Sequence, residues 1–440
     1  MKQHYDIAIL GGGPAGAAVA LSLKQHAPAL SVAIVESSAY DRPRIGETLP
    51  PTVQPLLMQL GIWQSFVAES HLPAFGTCSA WGSERLEDNE FIYGQHGRGW
   101  HLDRRRFDAM LTREAESHGV ELMTSSTVTH SEKLADEWRL TIRKKKHFSP
   151  TKTHEENTKE SRAEKEMMDR MFSGFTRIAH PENPEKKSCS SCFEDGPALL
   201  REPSCDFVDE NSSITAKFVV DATGKTAAFA TRHGARKQLF DQLLGAFVFF
   251  KSEEKNTYTM VEACEDGWWY SALLPEAGMV AARMSDADFV KQQRLKEPAQ
   301  WFEQLQKTTH TKLRLLPAEP LNAPTLHAAA SHRLDRFAGD GWLAVGDAAT
   351  SFDPLSSQGV FKALRTGILA SYAVCDFFKG DLFGLEKYEQ IVAREFDAYL
   401  KTRAEFYGQE QRWPNSPFWN KRRSAVLNTV NLRAISAPQN

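Results

Sequence analysis

The beginning of the chain alternates apolar runs with a cluster of glycines. Residues 5–10 form a short apolar run typical of a buried parallel strand, and residues 31–35 form a second one. Small residues between them predict a helix from about Pro14 to Gln25. Strand, glycine turn, helix and strand in this order predict a βαβ unit.

Further along the chain the hydrophobic period changes. Asp103 is predicted to cap a helix from Arg104 to Ser117, and the runs GAFVFF, TYTMVEA, GWWYSALLP and GMVAARM predict an antiparallel meander over 243–284. The other predicted elements are short strands over 75–93, strands at 138–143 and 218–220, a buried parallel-type strand over 341–347, and amphipathic helices over 382–423.

The stretch from about residue 144 to 206 has almost no apolar spacing. It predicts a solvated insertion that is part helix and part disorder. Cys189 and Cys192 form a C-x-x-C pair there, with Cys205 and His180 nearby. One such pair in a polar insertion is a weak zinc signal, so no metal is predicted.

Composition and charge narrow the class of function. The 440 residues are 41% hydrophobic and 25% charged, as in ordinary soluble proteins, and their number suggests two to three structural units. A net charge of −3 does not favour nucleic acid or an anionic membrane as partner. No apolar stretch reaches transmembrane length, no leader pattern precedes the first strand, and the six cysteines are scattered, so we expect a cytoplasmic protein without a disulfide framework.

Gly11, Gly13 and Gly16 form a G-x-G-x-x-G motif between the first strand and the first helix. The first glycine permits the tight turn, the second lets the backbone approach a pyrophosphate, and the third allows close packing of helix on strand. Glu36 follows the second strand, where its carboxylate can bind ribose hydroxyls. The motif therefore predicts a dinucleotide site rather than a glycine-rich loop without a ligand.

Two later segments distinguish FAD from NAD. Asp221-Ala222-Thr223-Gly224 follows one predicted strand. Gly346-Asp347-Ala348-Ala349 follows another and leads through Asp353-Pro354 to a helix near Gly359. An acidic residue at a strand end can bond a ribityl hydroxyl, and the helix can direct its N-terminus at the flavin ring. The three segments in this order predict FAD.

These residues resemble the flavoprotein monooxygenases of the para-hydroxybenzoate hydroxylase superfamily. The segment Arg44-Ile45-Gly46-Glu47, the following Leu49-Pro50-Pro51 and the tail from Arg412-Trp413 to Arg422-Arg423 are similar to its tryptophan halogenase-like branch. That branch includes the LodB, GoxB and QhpG type, which modifies a tryptophan inside a partner protein during tryptophylquinone biogenesis. The resemblance implies FAD, oxygen as co-substrate and an FAD contact at Arg104.

The resemblance and the motifs together predict an α/β fold. We expect a Rossmann-type FAD-binding fold assembled from separated segments, with an inserted antiparallel β-sheet substrate domain and a helical C-terminal region. The predicted boundaries are 1–74, 94–145, 207–236 and 330–380 for the FAD-binding domain, 146–206 for the polar insertion, 75–93 and 237–329 for the substrate domain, and 381–440 for the helical region. The predicted cofactor-binding residues are Gly11, Gly13, Pro14, Ala15, Gly16, Glu36, Arg44, Arg104, Val128, Gly346, Asp347, Pro354, Gly359 and Val360.

Glu47 is the first candidate for an acid/base or substrate-orienting group, and a structural role is an equal alternative. His101 is a second candidate, although a lone histidine beside a helix cap is more often simply hydrogen-bonded. An aromatic substrate could pack against the predicted pocket residues Trp81, Trp268, Trp269 and Tyr270, each of which has ordinary core packing as its alternative.

Halogenases of this branch need a lysine that captures hypohalous acid. This sequence has no lysine between Lys24 and Lys133, where the resemblance would place it. Gly267-Trp268-Trp269-Tyr270 also departs from the W-x-W-x-I-P segment of halogenases, and Ser356-Ser357-Gln358 replaces a glutamate-bearing segment. The sequence therefore disfavours halogenation and favours hydroxylation of an aromatic group through a flavin hydroperoxide.

The substrate and the electron donor stay open. The substrate is a tryptophan of a partner protein or a small molecule of secondary metabolism. An isoprenoid-reducing flavoenzyme and a non-enzymatic FAD-bound maturation chaperone are further alternatives. Thr223-Gly224 replaces the D-G pair of hydroxylases that use NADPH directly, so the electrons come from NADPH or from a separate flavin reductase.

Overall fold

A computed structural model describes residues 3–145 and 210–423 of the chain. The predicted insertion, together with Cys189 and Cys192, lies outside the described residues. The strands are β1 (His4–Leu10), β2 (Val32–Val35), β3 (Thr48–Leu49), β4 (Leu72–Ala74), β5 (Gly76–Ala80), β6 (Glu87–Glu90), β7 (Gly99–His101), β8 (Glu121–Met123), β9 (Ser126–Lys133), β10 (Trp138–Lys144), β11 (Glu210–Asp221), β12 (Lys237–Leu239), β13 (Leu243–Lys251), β14 (Thr259–Cys264), β15 (Gly267–Leu274), β16 (Gly278–Asp286), β17 (Glu319–Pro320), β18 (Thr325–Ala328), β19 (His332–Leu334), β20 (Ala338–Gly339), β21 (Trp342–Ala344) and β22 (Thr350–Ser351).

One helix begins at the cap that the sequence predicts. Asp103 caps the fourth helix by accepting hydrogen bonds from the backbone N–H groups of Arg105 and Arg106, as the sequence predicts. The α-helices are α1 (Pro14–His26), α2 (Gln54–Gln59), α3 (Trp63–Ala68), α4 (Arg104–Ser117), α5 (Ala228–Arg232), α6 (Ala287–Gln292), α7 (Pro298–Gln306), α8 (Thr311–Leu315), α9 (Gly359–Phe378) and α10 (Phe383–Gln409).

A twisted sheet of mostly parallel strands forms the nucleotide-binding half. Its order is β20-β21-β11-β1-β2-β8, and β10 with β9 joins it beside β11. The pairs β1–β2, β1–β11, β11–β21 and β2–β8 are all parallel. The segments 7–10, 32–35, 218–221 and 342–344 of four of these strands are fully buried, which explains why they read as continuous apolar runs rather than alternating ones.

Helices α1 and α9 pack against each other because both present small residues at their contact. A Cβ built on Gly367 would lie 2.6 Å from the carbonyl oxygen of Ala15, so only glycine permits this approach. The hydroxyls of Ser22 and Ser371 hydrogen-bond at 2.6 Å across the same interface. The small-residue helix predicted after the glycine motif is thus fitted to a partner helix more than 300 residues away in sequence.

A second sheet has the order β17-β13-β16-β15-β14-β5-β6. The meander pairs are antiparallel as predicted, whereas β14 pairs with β5 in parallel. Both faces are covered. One face packs against Tyr407, Phe418 and Trp419 of the C-terminal region, and the other against residues of α6, α7 and α8.

The predicted fold class is confirmed, with one local correction. The buried parallel-type strand expected over 341–347 is only β21, because Gly346 has φ +58° and a 3₁₀ turn follows over Gly346–Ala348. The chain therefore leaves the sheet earlier than its apolar pattern suggested. The turn brings the acidic residue that follows to the edge of a cavity.

Candidate cofactor-binding and active site

A cavity of about 640 Å³ opens at the carboxyl ends of the parallel strands. Leu10 at the end of β1, Val35 at the end of β2 and Val345 after β21 all line it. In open α/β sheets ligands bind at this end, where loops leave the strands in opposite directions. The volume lies within the range of small-molecule and cofactor sites.

The glycine turn lies at this cavity, and its three glycines differ in what an added side chain would meet. Gly11 has φ +115°, and a Cβ there would meet the Ala222 carbonyl oxygen at 2.3 Å. A Cβ on Gly16 would lie 2.0 Å from the Gly11 carbonyl oxygen. A Cβ on Gly13 would meet nothing within 4 Å, and Gly13 lines the cavity at the N-terminus of α1. The backbone is therefore open here to a close ligand.

Glu36 and Arg44 belong to an ion-pair network beside this turn. The Glu36 carboxylate accepts a hydrogen bond from the Gly12 N–H at 2.7 Å and pairs with Arg44 at 3.0 Å. Arg44 also pairs with buried Asp108 at 2.7 Å, and Arg104 pairs with the same carboxylate at 3.1 Å. The network fixes the loop that begins at Arg44, and all four of these charged side chains line the cavity.

Asp347 also lines the cavity and pairs with the buried ammonium of Lys362 at 2.6 Å. Burial alone would raise the pKa of Asp347, but Lys362 and Lys225 hold that pKa below its ordinary value. Pro354, Gly359 and Val360 line the cavity at the start of α9, whereas Gly346 does not.

These residues fit FAD. The open N-terminus of α1 and the cationic side chains of Arg44, Arg104, Lys225 and Arg232 at the cavity suit an anionic pyrophosphate. Asp347 and the N-terminus of α9 supply the hydroxyl acceptor and the helix end expected beside the ribityl chain and ring. Val128 of β9 lines the cavity as well, whereas Gly16 lies behind the turn.

The second sheet contributes the aromatic part of the cavity. Its side chains at the cavity are Phe247, Trp268, Tyr270 and Met284, and together with Glu47 and Thr48 we call them the sheet-side wall. Neighbouring positions on a strand face opposite sides of a sheet. Trp268 and Tyr270 of β15 therefore reach the cavity together.

The same alternation removes Trp269 from the cavity. Its ring packs against Trp301 of α7, with centroids 4.8 Å apart, on the other face of the sheet. Trp81 is also elsewhere: its indole N–H donates to the Phe406 carbonyl oxygen at 2.8 Å and its ring contacts Tyr407 and Trp419. Neither residue lines the cavity, so the structure does not support their predicted place in the pocket.

Glu47, in the sheet-side wall, lines the cavity and is 2% exposed. Its Oε1 accepts a hydrogen bond from the Tyr270 hydroxyl at 2.6 Å, and its Oε2 has no hydrogen-bond partner among the described residues. Burial raises the pKa of Glu47, although the Tyr270 hydroxyl and nearby backbone N–H groups oppose this. The structure thus places an unsatisfied carboxyl oxygen at a cavity.

His101 is fully buried and does not line the cavity. It lies opposite Thr48 in the β3–β7 pair, and its Nε2 is 2.7 Å from the carbonyl oxygen of Thr257. Burial lowers the pKa of His101 to about 4, so its ring is neutral near pH 7. A direct catalytic contact is therefore not available to His101 in this structure.

Several residues that line the cavity could not be predicted from the sequence. Thr48, Phe352 and Arg232 stand in no motif, and Lys225 is one lysine among many. Lys362 could have been suspected from its place one turn into a helix whose start was predicted. Its ion pair with Asp347, however, depends on how two distant segments meet.

The described residues contain no cluster of His, Cys, Asp or Glu suited to a metal ion. Within the same ranges, no helix combines the length and apolar character that crossing a membrane would require. The fold and the site define a dinucleotide-binding oxidoreductase of the flavoprotein type.

The sequence profile of the tryptophan halogenase family matches residues 6–77 and 206–436, so the chain belongs to that family. The chain is an FAD-dependent oxidoreductase, as the sequence predicted. It is 27% identical over 435 residues to LodB of Marinomonas mediterranea, described as an FAD-dependent oxidoreductase, with 96% of this chain and 97% of LodB covered.

Two solved structures show the same fold. The chondrochloren halogenase CndH, a myxobacterial enzyme, matches with a TM-score of 0.75 and 19% identity, covering 98% of this chain and 90% of CndH. QhpG, a peptidyl tryptophan dihydroxylase essential for tryptophylquinone cofactor biogenesis, matches with a TM-score of 0.63 and 19% identity, covering 96% of this chain and 79% of QhpG. Both halogenating and hydroxylating enzymes therefore share this architecture.

Proposed function

We propose that this protein is an FAD-dependent monooxygenase that hydroxylates an aromatic group, with a tryptophan of a partner protein as the leading substrate. The observation that carries the proposal is the chemistry of the sheet-side wall. It combines aromatic side chains with a carboxyl–phenol pair, Glu47 and Tyr270, and it contains no lysine.

The relatives support the substrate class. LodB aligns with this chain over nearly the full length of both. QhpG, whose substrate is a tryptophan within a peptide chain, has the same fold. Both likenesses make candidate partner proteins the substrates to assay.

Bound FAD, once reduced, would activate oxygen and supply it in electrophilic form. The overall reaction joins an aromatic C–H, O₂, two electrons and two protons to give the hydroxylated ring and water. The FAD would be held by the glycine turn with Glu36 and Arg104 at one end and by Asp347 with the start of α9 at the other. The protein's own tasks are to exclude water and to hold the ring in place.

The sheet-side wall would perform this positioning. Trp268 and Tyr270 line the cavity and would form an aromatic wall against which an aromatic substrate packs. Glu47 offers the free Oε2 as a polar contact that fixes the ring's rotation. Proximity and orientation of this kind can supply up to about 7–11 kcal/mol of the barrier reduction.

We propose NADPH or a separate flavin reductase as the electron source. Thr223 and Gly224 line the cavity where hydroxylases that use NADPH directly carry a D-G pair. The Thr223 hydroxyl donates to Asp221 at 2.6 Å, so this turn is satisfied internally. This favours the separate reductase.

Halogen transfer is the second candidate function, and two observations favour it. The chain belongs to a family named for halogenation, and Lys225 lines the cavity although the region from residue 25 to 132 has no lysine. The Lys225 ammonium donates to the Ala328 carbonyl oxygen at 2.7 Å and electrostatically affects Asp347 on the cofactor side. It does not belong to the sheet-side wall.

One experiment separates the two functions. The FAD-loaded protein is supplied with NADPH, a flavin reductase, ¹⁸O₂, chloride and bromide, and each candidate partner protein, and the partner's mass is measured. We expect gains of ¹⁸O on a tryptophan that require oxygen and do not depend on halide. Gains of halogen mass that disappear in Lys225→Met would overturn the proposal, with exposed Lys145→Met as the matched control.

A further inference from the structure

Helix α10, which is described along its whole length, has no residue at the cavity, yet it holds residues that line it. We propose that Tyr407 of α10 is a positioning residue whose hydroxyl couples Trp268 of the sheet-side wall to Asp353 on the loop before α9. The helix thereby fixes the aromatic wall relative to the loop that leads to the cofactor. The coupling does not rest on the proposed function, whereas its effect on oxygen transfer does.

The hydroxyl of Tyr407 forms two hydrogen bonds whose directions follow from the partners. The Trp268 indole N–H can only donate, and its Nε1 lies 3.0 Å from the Tyr407 oxygen. The Tyr407 hydrogen is therefore free for Asp353, whose Oδ2 lies at 2.8 Å. Burial raises the pKa of Tyr407 well above its ordinary value, so the hydroxyl keeps this hydrogen. Hydrogen bonds joined in this way polarise one another, so a change at one end alters the bond at the other.

One stripe of α10 holds Asp353. Tyr399, Arg403 and Tyr407 are spaced by four residues, so they lie on the same face of the helix. The Tyr399 oxygen accepts a hydrogen bond from the backbone N–H of Asp353 at 2.7 Å, and the Arg403 Nε donates to Oδ2 at 3.3 Å. The other carboxyl oxygen accepts from the Leu355 N–H at 3.0 Å. Both the main chain and the carboxylate of Asp353 are therefore fixed ahead of the start of α9.

Packing holds the ring of Tyr407 itself in place. The residue is fully buried, and its ring centroid lies 5.7 Å from the ring centroids of Trp81 and Trp419. The Arg422 guanidinium lies 5.1 Å from the same centroid and pairs with Asp286 of β16 at 2.7 Å. The Tyr407 hydroxyl is therefore a fixed point that joins two distant segments of the chain.

Tyr388 is a tyrosine of the same helix whose hydroxyl has no contact with the cavity residues. It is 2% exposed, and its hydroxyl donates to the Ala344 carbonyl oxygen at 2.7 Å. Ala344 lies within β21 and does not line the cavity, whereas both hydroxyl partners of Tyr407 do. Tyr388→Phe is therefore the matched control for Tyr407→Phe, because each substitution removes one buried hydroxyl and keeps the ring.

Removal of the Tyr407 hydroxyl breaks the coupling at both ends. The Trp268 N–H loses its acceptor and Asp353 Oδ2 loses one of its two donors, while the packing of the ring is kept. An aromatic substrate that packs against Trp268 then loses its fixed position relative to the loop before α9. Since Tyr407 does not line the cavity, the loss acts on the rate of the bound substrate and not on substrate affinity.

Nuclear magnetic resonance of the FAD-loaded protein with ¹⁵N-labelled indoles tests the coupling without any turnover. The Trp268 signal is the one that is absent in Trp268→Phe. We expect this signal to shift in Asp353→Asn, in which asparagine caps the turn as well as aspartate does. Adding Asp353→Asn to Tyr407→Phe should cause no such shift. Solvent exchange of the Trp268 indole hydrogen should be about tenfold faster in Tyr407→Phe, because one hydrogen bond is lost, and nearly unchanged in Tyr388→Phe.

Two results of this measurement would overturn the coupling. The first is a Trp268 signal that Asp353→Asn leaves in place while Tyr407 is unchanged, a result that can be obtained even if Tyr407→Phe does not fold. The second is an equal shift caused by Asp353→Asn with and without the Tyr407 hydroxyl, since the effect would then reach Trp268 by another route.

The effect on oxygen transfer is measured with a partner protein that gains ¹⁸O from the unchanged enzyme. We expect Tyr407→Phe to lower kcat by up to about 100-fold with KM nearly unchanged, and Tyr388→Phe to match the unchanged enzyme. An unchanged kcat in Tyr407→Phe, or a rise in KM alone, would overturn the positioning role. If no partner gains ¹⁸O, the proposed function fails, while the Trp268 signal still decides whether the coupling exists.

Discussion

Alanine at Gly13 should separate FAD binding from folding. Gly13 has φ −75° and ψ −177°, a conformation open to any residue, and a Cβ there would meet no protein atom within 4 Å. The substitution makes the unfolded chain less flexible, which stabilises by about 0.4–1 kcal/mol, but alanine is a poorer N-cap than glycine by a similar amount. We therefore expect the free energy of unfolding without FAD to change by less than about 1 kcal/mol.

FAD binding should respond differently because the new methyl group projects into open space at a cavity wall. Displacing a close-packed pyrophosphate costs about 1–3 kcal/mol if it resembles overpacking of a core. At 1.4 kcal/mol for each factor of ten, this weakens FAD affinity by roughly 5- to 150-fold. Fluorescence titration of the FAD-free protein with FAD gives the dissociation constant, and denaturant unfolding without FAD gives the stability.

Gly16→Ala is the matched control. Its Cβ would lie 2.0 Å from the Gly11 carbonyl oxygen and 3.0 Å from Ile9, so backbone has to move and the protein without FAD should lose stability. If Gly13→Ala binds FAD as tightly as the unchanged protein, the pyrophosphate does not lie against this turn. If it destabilises the protein as much as Gly16→Ala, the space at Gly13 is not open.

Two further predictions concern stability and the polar insertion. The pKa of Glu47 is raised above 4.5 in the folded protein, so at pH values between the unfolded and the folded pKa the folded state binds more protons, and the free energy of unfolding falls as pH rises. Glu47→Gln should lack this fall, which urea unfolding at several pH values measures. The same dependence of the free energy of unfolding on pH in both proteins would contradict the prediction. Replacing residues 146–203 with a short linker should leave FAD binding nearly intact. The flanking strands β10 and β11 pair in the same sheet, and the entropy of closing a loop between them changes little with loop length. Loss of soluble flavoprotein would contradict this prediction.

The sequence by itself determined those features that depend on neighbours in the chain. The turn at Gly11, the N-cap at Asp103 and the acidic residue Asp347 before a helix start were predictable because each needs a residue type at a fixed offset from a strand or helix. The meander was predictable for the same reason, since apolar alternation is local. FAD could be predicted because these local signals occur in a specific order.

Only the tertiary structure decided which side chains meet at the cavity. Glu47 and Tyr270 are 223 positions apart, and Asp347 meets Lys362 through the packing of a turn on a helix. Trp268 and Trp269 look equivalent in sequence, yet the face on which each lies depends on which side of the sheet the cofactor half occupies. The alternation of side chains along a strand shows which residues share a face of the sheet. Only long-range packing determines which of the two faces becomes a site.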